Sequence, residues 1–278
     1  MTDTAELGRS LIEHLRGIGP LAVAYSGGAD SALVLAATAR ALGAGRVLAI
    51  TAVSESLAAG ELDAARTLAD DLGVAHLAVR TAELDRPGYR ANGRDRCYFC
   101  KSEVLDVLAR SAGEHGYDQL ATGTNADDAT DPYRPGIAAG RERGVRTPLL
   151  DVGLTKAEVR AISRLWSVPT WNKPATPCLA SRIRYGIQVT PARLARVDRA
   201  EAAVRALLTS AGINVTDLRV RDLGEAARIE LPAGDLPAAR ALPGLTEAMA
   251  EAGFGAAAVE LAAFSSGNLN KENQRPGR

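Results

Sequence analysis

The apolar positions change period along the chain. Leu7, Leu11, Ile12 and Leu15 recur at helical spacing and predict a helix over residues 3–18, and the unbroken run Leu21-Ala22-Val23-Ala24-Tyr25 behind it predicts a strand. Residues 46–53 read as a second strand. Over residues 61–72, Leu62, Ala65, Ala69 and Leu72 share one helical face, and Gly73 supplies the stop. A third strand follows at 74–79, a helix at 101–115, a fourth strand at 119–123 ending in a glycine turn, and a helix at 155–160. Strands alternating with helices predict an α/β fold, a doubly wound parallel sheet with its site at the carboxyl ends of the strands.

Near residue 170 the pattern breaks. Pro169, Pro174 and Pro177, with Trp171-Asn172-Lys173 among them, mark a linker. Beyond it the periodicity predicts a helix over 191–208, strands at 215–221 and 227–231, a helix around 236–251 and a strand at 257–264. That αββαβ order reads as a second, smaller α+β domain. The expected organisation is a first domain over 1–174, a small domain over 175–268 and a polar, frayed tail over 269–278.

Composition narrows the class. With 46% hydrophobic and 24% charged residues the 278-residue chain is ordinary globular protein, long enough for two cores. No apolar run has the length of a membrane span, and the first residues lack the pattern of a signal peptide, so a cytoplasmic protein is expected. The 33 basic and 33 acidic residues cancel, which leaves no overall field to draw in nucleic acid. Three cysteines, an odd number, argue against a disulfide framework and point to metal or sulfur chemistry.

Candidate chemistry lies first in Ser26-Gly27-Gly28-Ala29-Asp30-Ser31, between the first strand and a helix. Two glycines let the backbone turn tightly, and the unpaired N–H groups of the helix start face the loop, which makes an anion cradle. The loop lacks the Gly-Lys-Ser/Thr ending of a Walker A motif, so an adenylating use of ATP, cleaved between its α and β phosphates, fits better than phosphoryl transfer. The plain alternative is a glycine turn with a Ser or Asp N-cap. At the fourth strand end, Gly123-Thr124-Asn125-Ala126-Asp127-Asp128, followed by Asp131-Pro132-Tyr133-Arg134, offers hard oxygen ligands. These suit Mg²⁺ carried on pyrophosphate, with Asp30 sharing the ion, or else form a solvated turn.

Cys97-Tyr98-Phe99-Cys100 has the spacing in which two thiolates face one metal, and Cys178 follows within Pro177-Cys178-Leu179-Ala180-Ser181-Arg182-Ile183. Three thiolates without a fourth would leave one iron of a [4Fe-4S] cluster open. Zinc would need a further ligand, and His14, His76 and His115 are all remote in sequence. A structural zinc or buried free thiols remain the alternative. Arg219 and Arg221 alternate on a predicted strand, so both guanidiniums share a face that could hold a phosphate, with Arg182, Arg184 and Arg228 as further candidates or all of them solvated.

The first loop resembles the PP-loop pyrophosphatase superfamily, which has the adenine nucleotide α-hydrolase-like fold. With Arg96-Cys97-Tyr98-Phe99-Cys100-Lys101, Gly123-Thr124-Asn125-Ala126-Asp127-Asp128, Arg134-Pro135-Gly136, Leu154-Thr155-Lys156-Ala157-Glu158-Val159-Arg160 and the segment around Cys178, the chain resembles the LarE family over most of its length. These ATP-dependent sulfur transferases build the nickel-pincer nucleotide of lactate racemase. The resemblance implies a small-molecule nucleotide substrate, pyridinium-3,5-biscarboxylic acid mononucleotide, whose carboxylate is adenylated and then converted to a thiocarboxylate. It implies that Ser26, Gly27, Gly28, Asp30 and Ser31, with Gly123, Thr124 and Asp127, hold ATP and Mg²⁺. Ser181, Arg182, Arg219 and Arg221 would hold the substrate. Members divide by sulfur source: one cysteine at the position of Cys178 gives up its own sulfur and becomes dehydroalanine, or three cysteines hold a [4Fe-4S] cluster carrying an extra sulfide. The presence of Cys97, Cys100 and Cys178 favours the cluster type, with Cys178 and Asp30 as catalytic groups. A homo-oligomer is also implied.

One departure stands out: where the family pattern has an Arg in Gly-Tyr-Arg-Ser-Gly, this chain has Ser265. Competing readings are a PP-loop tRNA thiolase, which needs a basic surface, an ammonia-using PP-loop amidotransferase, which needs no cysteine, and a nucleotide-binding module with a structural zinc.

Overall fold

The structure, a computed structural model, describes residues 3–58, 60–130, 135–255 and 258–265. Packing divides them into two units, one from the described residues of Met1–Arg86 and Cys97–Thr176, the other from those of Pro87–Arg96 and Pro177–Arg278. The stretch Asp131-Pro132-Tyr133-Arg134 and the C-terminal tail lie outside the described residues.

In the first unit β1 (Leu21–Ala24), β2 (Val47–Val53), β3 (Ala75–Arg80) and β4 (Leu120–Ala121) form a parallel sheet in the order β3-β2-β1-β4. The doubly wound α/β expectation holds. The chain steps outward from β1 to β2 and β3, then returns to place β4 on the other side of β1, so the direction of winding reverses between β1 and β4. That reversal opens a crevice at the carboxyl ends of these two strands. β1 and most of β2 are buried, as a sheet covered on both faces requires. On one face α1 (Thr4–Ile18), α2 (Ala29–Leu42) and α9 (Lys156–Leu165) bury Leu11, Leu15, Leu33, Val159 and Ile162, and α3 (Glu61–Asp71) adds Ala65 and Leu68. Apart from the short α4 (Pro87–Arg90), the next helix is α5 (Arg96–Glu114), whose Leu105, Leu108 and Ala112 pack against Ala22, Leu48 and Ile50.

Three local differences from the sequence reading matter for the site. Helix α5 begins at Arg96 instead of residue 101, so both thiols of the Cys-x-x-Cys motif lie on its first turns. Strand β4 is shorter than expected, because the Thr122 N–H donates to Arg146 O (2.9 Å) and the chain then turns toward α2. The acidic stretch after Asn125 forms α6 (Ala126–Thr130), followed by α7 (Pro135–Glu142) and α8 (Pro148–Asp151).

In the second unit α10 (Pro191–Ser210) starts at a Thr190 cap and buries Leu194, Val197, Ala200, Val204 and Leu208, one helical face. Its sheet has the order β5 (Arg219–Asp222), β6 (Ala226–Leu231), β7 (Ala258–Ala263), the first pair antiparallel and the second parallel. The helix expected around 236–251 is instead two, α11 (Leu236–Ala241) and α12 (Leu245–Met249). Pro243 cannot continue α11, and Gly244 takes a left-handed conformation at φ 84°.

Residues 87–96 pack with this second unit although the chain on both sides belongs to the first. Asn92 makes the attachment. It is fully buried and sits at φ 56°, a left-handed conformation that Asn tolerates better than most residues. Its Nδ2 faces Ile187 O, Arg184 O and Ile183 O at 2.7, 2.9 and 3.4 Å, while Arg96 donates to Asn92 Oδ1 and to Ala180 O (3.1 Å). Asn92→Ala strips the donor from buried carbonyls and is expected to lower stability by about 2–3 kcal/mol, read as a fall in the urea midpoint.

Candidate active site

The loop Ser26–Ser31 lies at the carboxyl end of β1, at the crevice. Gly27 has φ 72°, the left-handed conformation that the tight turn needs, and Gly28 is the N-cap of α2. Gly28 has no side chain with which to cap, so the first-turn N–H groups of α2 are left facing the loop. The two serines close the loop on itself. Ser31 Oγ donates to Gly28 O (3.2 Å) and accepts from Ser26 N (3.3 Å), and the two hydroxyls are 3.2 Å apart.

Gly123 pins this loop from the side of β4. A Cβ at Gly123 would lie 2.6 Å from Ser31 N and 2.8 Å from the Asp30 carbonyl carbon, so only hydrogen fits. The next residues then reach the loop: Asn125 Nδ2 donates to Asp30 Oδ1 (3.3 Å), and Asn125 and Asp128 exchange backbone-to-side-chain bonds that fix their turn. Thr124 bonds to Thr122 through the hydroxyls (3.1 Å). Asp127 accepts from the Lys156 backbone N–H (2.8 Å) and so joins the turn to the start of α9.

Two lysines complete the surroundings, and sequence reasoning assigned a role to neither. Lys156 Nζ lies 2.5 Å from Asp30 Oδ2, both side chains partly exposed. It is placed by the start of α9, where Thr155 and Glu158 form a capping box. Lys173 Nζ donates to Gly27 O (3.1 Å) and pairs with Glu61 (2.8 Å). The absence of a Walker lysine in the loop was the available signal: the charge had to come from elsewhere. Among short motifs, a lysine after a Thr cap was readable as a helix start but not as a neighbour of Asp30.

Cys97 and Cys100 are one turn apart on α5, the first exposed and the second half-buried, so their thiols share a helix face. The pair fits two thiolate ligands of one metal centre. Burial lowers the pKa of the adjoining Lys101, opposed by Cys100 and Asp128. Cys178, half-buried, belongs to the second unit and precedes a 3₁₀ turn over Leu179–Arg182. Among the described residues no group of three or more His, Cys, Asp or Glu side chains is gathered as a metal site.

In the second unit the candidate arginines are deeply engaged. Arg182, 1% exposed, forms a two-pronged pair with Glu201 (2.8 and 3.1 Å) and donates to Pro177 O, Cys178 O and Ser181 Oγ. Arg221 holds Glu230 (2.7 Å) and donates to Ser181 O (3.0 Å). Arg219 is set differently: 4.0 Å from Asp217, with its guanidinium 5.4 Å from the Phe264 ring centroid. Burial lowers its pKa, and the charges of Arg182 and Arg221 push the same way. Arg228 pairs with Glu260 (3.1 Å), and Arg184 is exposed.

The family model described as asparagine synthase matches residues 4–156. The chain is 44% identical over 252 residues to the uncharacterized protein slr1717 of Synechocystis sp., covering 90% of this chain and 91% of that protein. It is 31% identical over 264 residues to the pyridinium-3,5-bisthiocarboxylic acid mononucleotide synthase of Lactiplantibacillus plantarum, covering 94% and 92%. Similarity to the uncharacterized protein MJ0830 of Methanocaldococcus jannaschii is 27% over 140 residues, 50% and 52% of the two chains.

The closeness at Gly123 gives a test. Gly123→Ala forces the Ser31 backbone to shift and is expected to weaken ATP binding by about ten- to a hundred-fold, with an unchanged circular dichroism spectrum. Titration calorimetry with ATP checks it.

Proposed function

This chain belongs to the LarE family of PP-loop proteins, and we propose on that premise that it is an ATP-dependent sulfur transferase. Its substrate is pyridinium-3,5-biscarboxylic acid mononucleotide, of which it adenylates a carboxylate and exchanges oxygen for sulfur, in maturation of a nickel-pincer cofactor of the kind lactate racemase uses. One observation carries the reading: the anion-binding loop Ser26–Ser31, with its flanking lysines, occurs in a chain similar over 94% of its length to a synthase of a bisthiocarboxylic acid mononucleotide.

The first half of the reaction falls to the first unit. The N–H groups at the start of α2 and the Ser26 and Ser31 hydroxyls hold the phosphates, and Gly27, Gly28 and Gly123 let backbone and nucleotide approach closely. Asp30 would hold Mg²⁺ carried on the pyrophosphate in place of Lys156, with Asp127 alongside. Released from Asp30, Lys156 joins Lys173 in neutralising the charge that grows on the leaving group. A carboxylate oxygen of the substrate attacks the α-phosphorus, the bond to the β-phosphate oxygen breaks, and pyrophosphate departs.

The second half exchanges AMP for sulfur. A sulfur nucleophile attacks the acyl carbon and the bond to AMP breaks, leaving a thiocarboxylate. Arg219 and Arg221, with Ser181 and Arg182, hold the substrate phosphate. Burial disfavours the charge of Arg219, and the substrate phosphate would give it a counter-charge. Cys97, Cys100 and Cys178 are the thiolates that would hold a [4Fe-4S] cluster, which would supply the sulfide for transfer. A second sulfur source is Cys178 itself, whose Cβ–Sγ bond would break to leave dehydroalanine.

Anaerobically purified protein given ATP, Mg²⁺, the biscarboxylate nucleotide and sulfide is expected to release pyrophosphate and AMP and to form thiocarboxylate. Many turnovers on added sulfide, with iron bound, identify the cluster route; one turnover, with loss of H₂S mass from the protein, identifies the sacrificial route. Cys178→Ala should abolish transfer by either route while ATP still binds. Release of ADP and phosphate in place of pyrophosphate would sink the proposal.

A further inference from the structure

The steps above leave unused a cavity of about 100 Å³ in the first unit, beyond the end of β4. Its position follows from the close approach at Gly123. Backbone leaving a strand alternates direction, so Gly123 faces α2 while Thr122 and Thr124 line the cavity, their hydroxyls 3.1 Å apart. Lys101 on α5 and Arg141 on α7 bring positive charge, and among the described residues no Asp or Glu lines the cavity. Ile137, Val145 and Leu150 supply apolar wall. Gly140 on α7 is part of the wall, and a Cβ there would meet only Leu105 Cδ1, at an ordinary contact distance of 3.8 Å.

This lining selects a ligand class. Two cations and paired hydroxyls, with no lining acid, select an oxyanion; the apolar wall selects carbon attached to it. A bare polyphosphate would leave oxygens against Ile137, Val145 and Leu150. The volume is below the about 150 Å³ of a cavity that encloses benzene, so the cavity takes a carboxylate and the ring edge bearing it, with the rest of the molecule outside. Gly123, between Thr122 and Thr124, touches Asp30 and Ser31 of the nucleotide loop.

We propose that this cavity seats a carboxylate-bearing edge of a planar aromatic acid next to the nucleotide loop, and so selects the acceptor of AMP. The proposal rests on the sulfur-transferase reading for the ligand's part in the reaction. It adds a specificity-determining site formed by α5, α7 and the end of β4.

The full-length protein is titrated with pyridine-3,5-dicarboxylate by ligand-observed NMR, with pyridine-3,5-dicarboxamide as the uncharged control and ATP affinity as the measure of an intact nucleotide site. The dicarboxylate is expected to bind and the dicarboxamide to bind far more weakly. Gly140→Leu, which fills the cavity, and Arg141→Gln are each expected to weaken dicarboxylate binding about ten-fold or more, with ATP affinity unchanged. Unchanged dicarboxylate affinity in a Gly140→Leu protein that still binds ATP overturns the proposal, as does equal binding of the dicarboxamide. If Gly140→Leu disturbs folding, Arg141→Gln combined with Thr122→Val decides by the same comparison. Failure here alongside normal thiocarboxylate formation removes only the cavity assignment. Dicarboxylate binding that obeys the variants in a protein forming no thiocarboxylate removes only the sulfur-transferase reading.

Discussion

The approach of the end of β4 to the N-terminus of α2 sets the geometry of the first unit. Strands β1 and β4 are short and diverge at the point where the winding reverses, yet Gly123 meets α2 with no room for a methyl group. Because backbone touches backbone there, side chains on either side of Gly123 have fixed destinations. Asn125 reaches Asp30, and the two threonines turn to the opposite side. A helix start alone binds anions weakly and without selectivity. Here it is held in register by a second strand end that also presents polar groups.

The charges in the two units are arranged for different purposes. In the first, Lys156–Asp30 and Lys173–Glu61 are single-atom pairs with partly exposed side chains. Pairs with solvent access contribute on the order of 1 kcal/mol or less, which Mg²⁺ and a polyphosphate readily exceed. They are exchangeable partners. In the second, Arg182–Glu201 and Arg221–Glu230 are buried and forked. Removing one member of such a pair costs about 3–5 kcal/mol, so these arginines also hold the unit together. Arg182 fixes the carbonyls of Pro177 and Cys178 and thereby the backbone that carries the thiol. Arg219 lies 4.0 Å from Asp217 and donates to Leu218 O (2.8 Å).

Much of the fold was legible because it follows from period. Buried strands of Leu, Ala and Val alternate with amphipathic helices, and the glycine loop stands where a strand meets a helix. The α7 glycines, by contrast, carried no readable signal, since a cavity depends on which helix faces them. Residues 87–96 gave no sign of joining the second unit, because Asn92 works through a buried left-handed turn bonded to carbonyls far along the chain. The break between α11 and α12 was underestimated although Pro243-Gly244 announced it. Among the site residues, the loop was readable from spacing, but Lys156 and Lys173 were not, since each acts across more than a hundred positions of sequence.

Those two lysines place positive charge beside a loop that has no Walker lysine. A P-loop carries its cation within the motif, so a strand, a loop and one helix suffice to hold phosphates. Here the cations lie at the start of α9 and in the turn after it. The match to the asparagine synthase family model ends at residue 156, the lysine that touches Asp30. The rest of α9 is what anchors that lysine: Val159 and Ile162 are fully buried in the core shared with α1 and α2, and the capping box fixes the helix start. Packing that looks purely structural therefore sets the position of a charge beside the nucleotide loop. A substitution in the buried face of α9 would reach the active site through Lys156, without any contact with nucleotide.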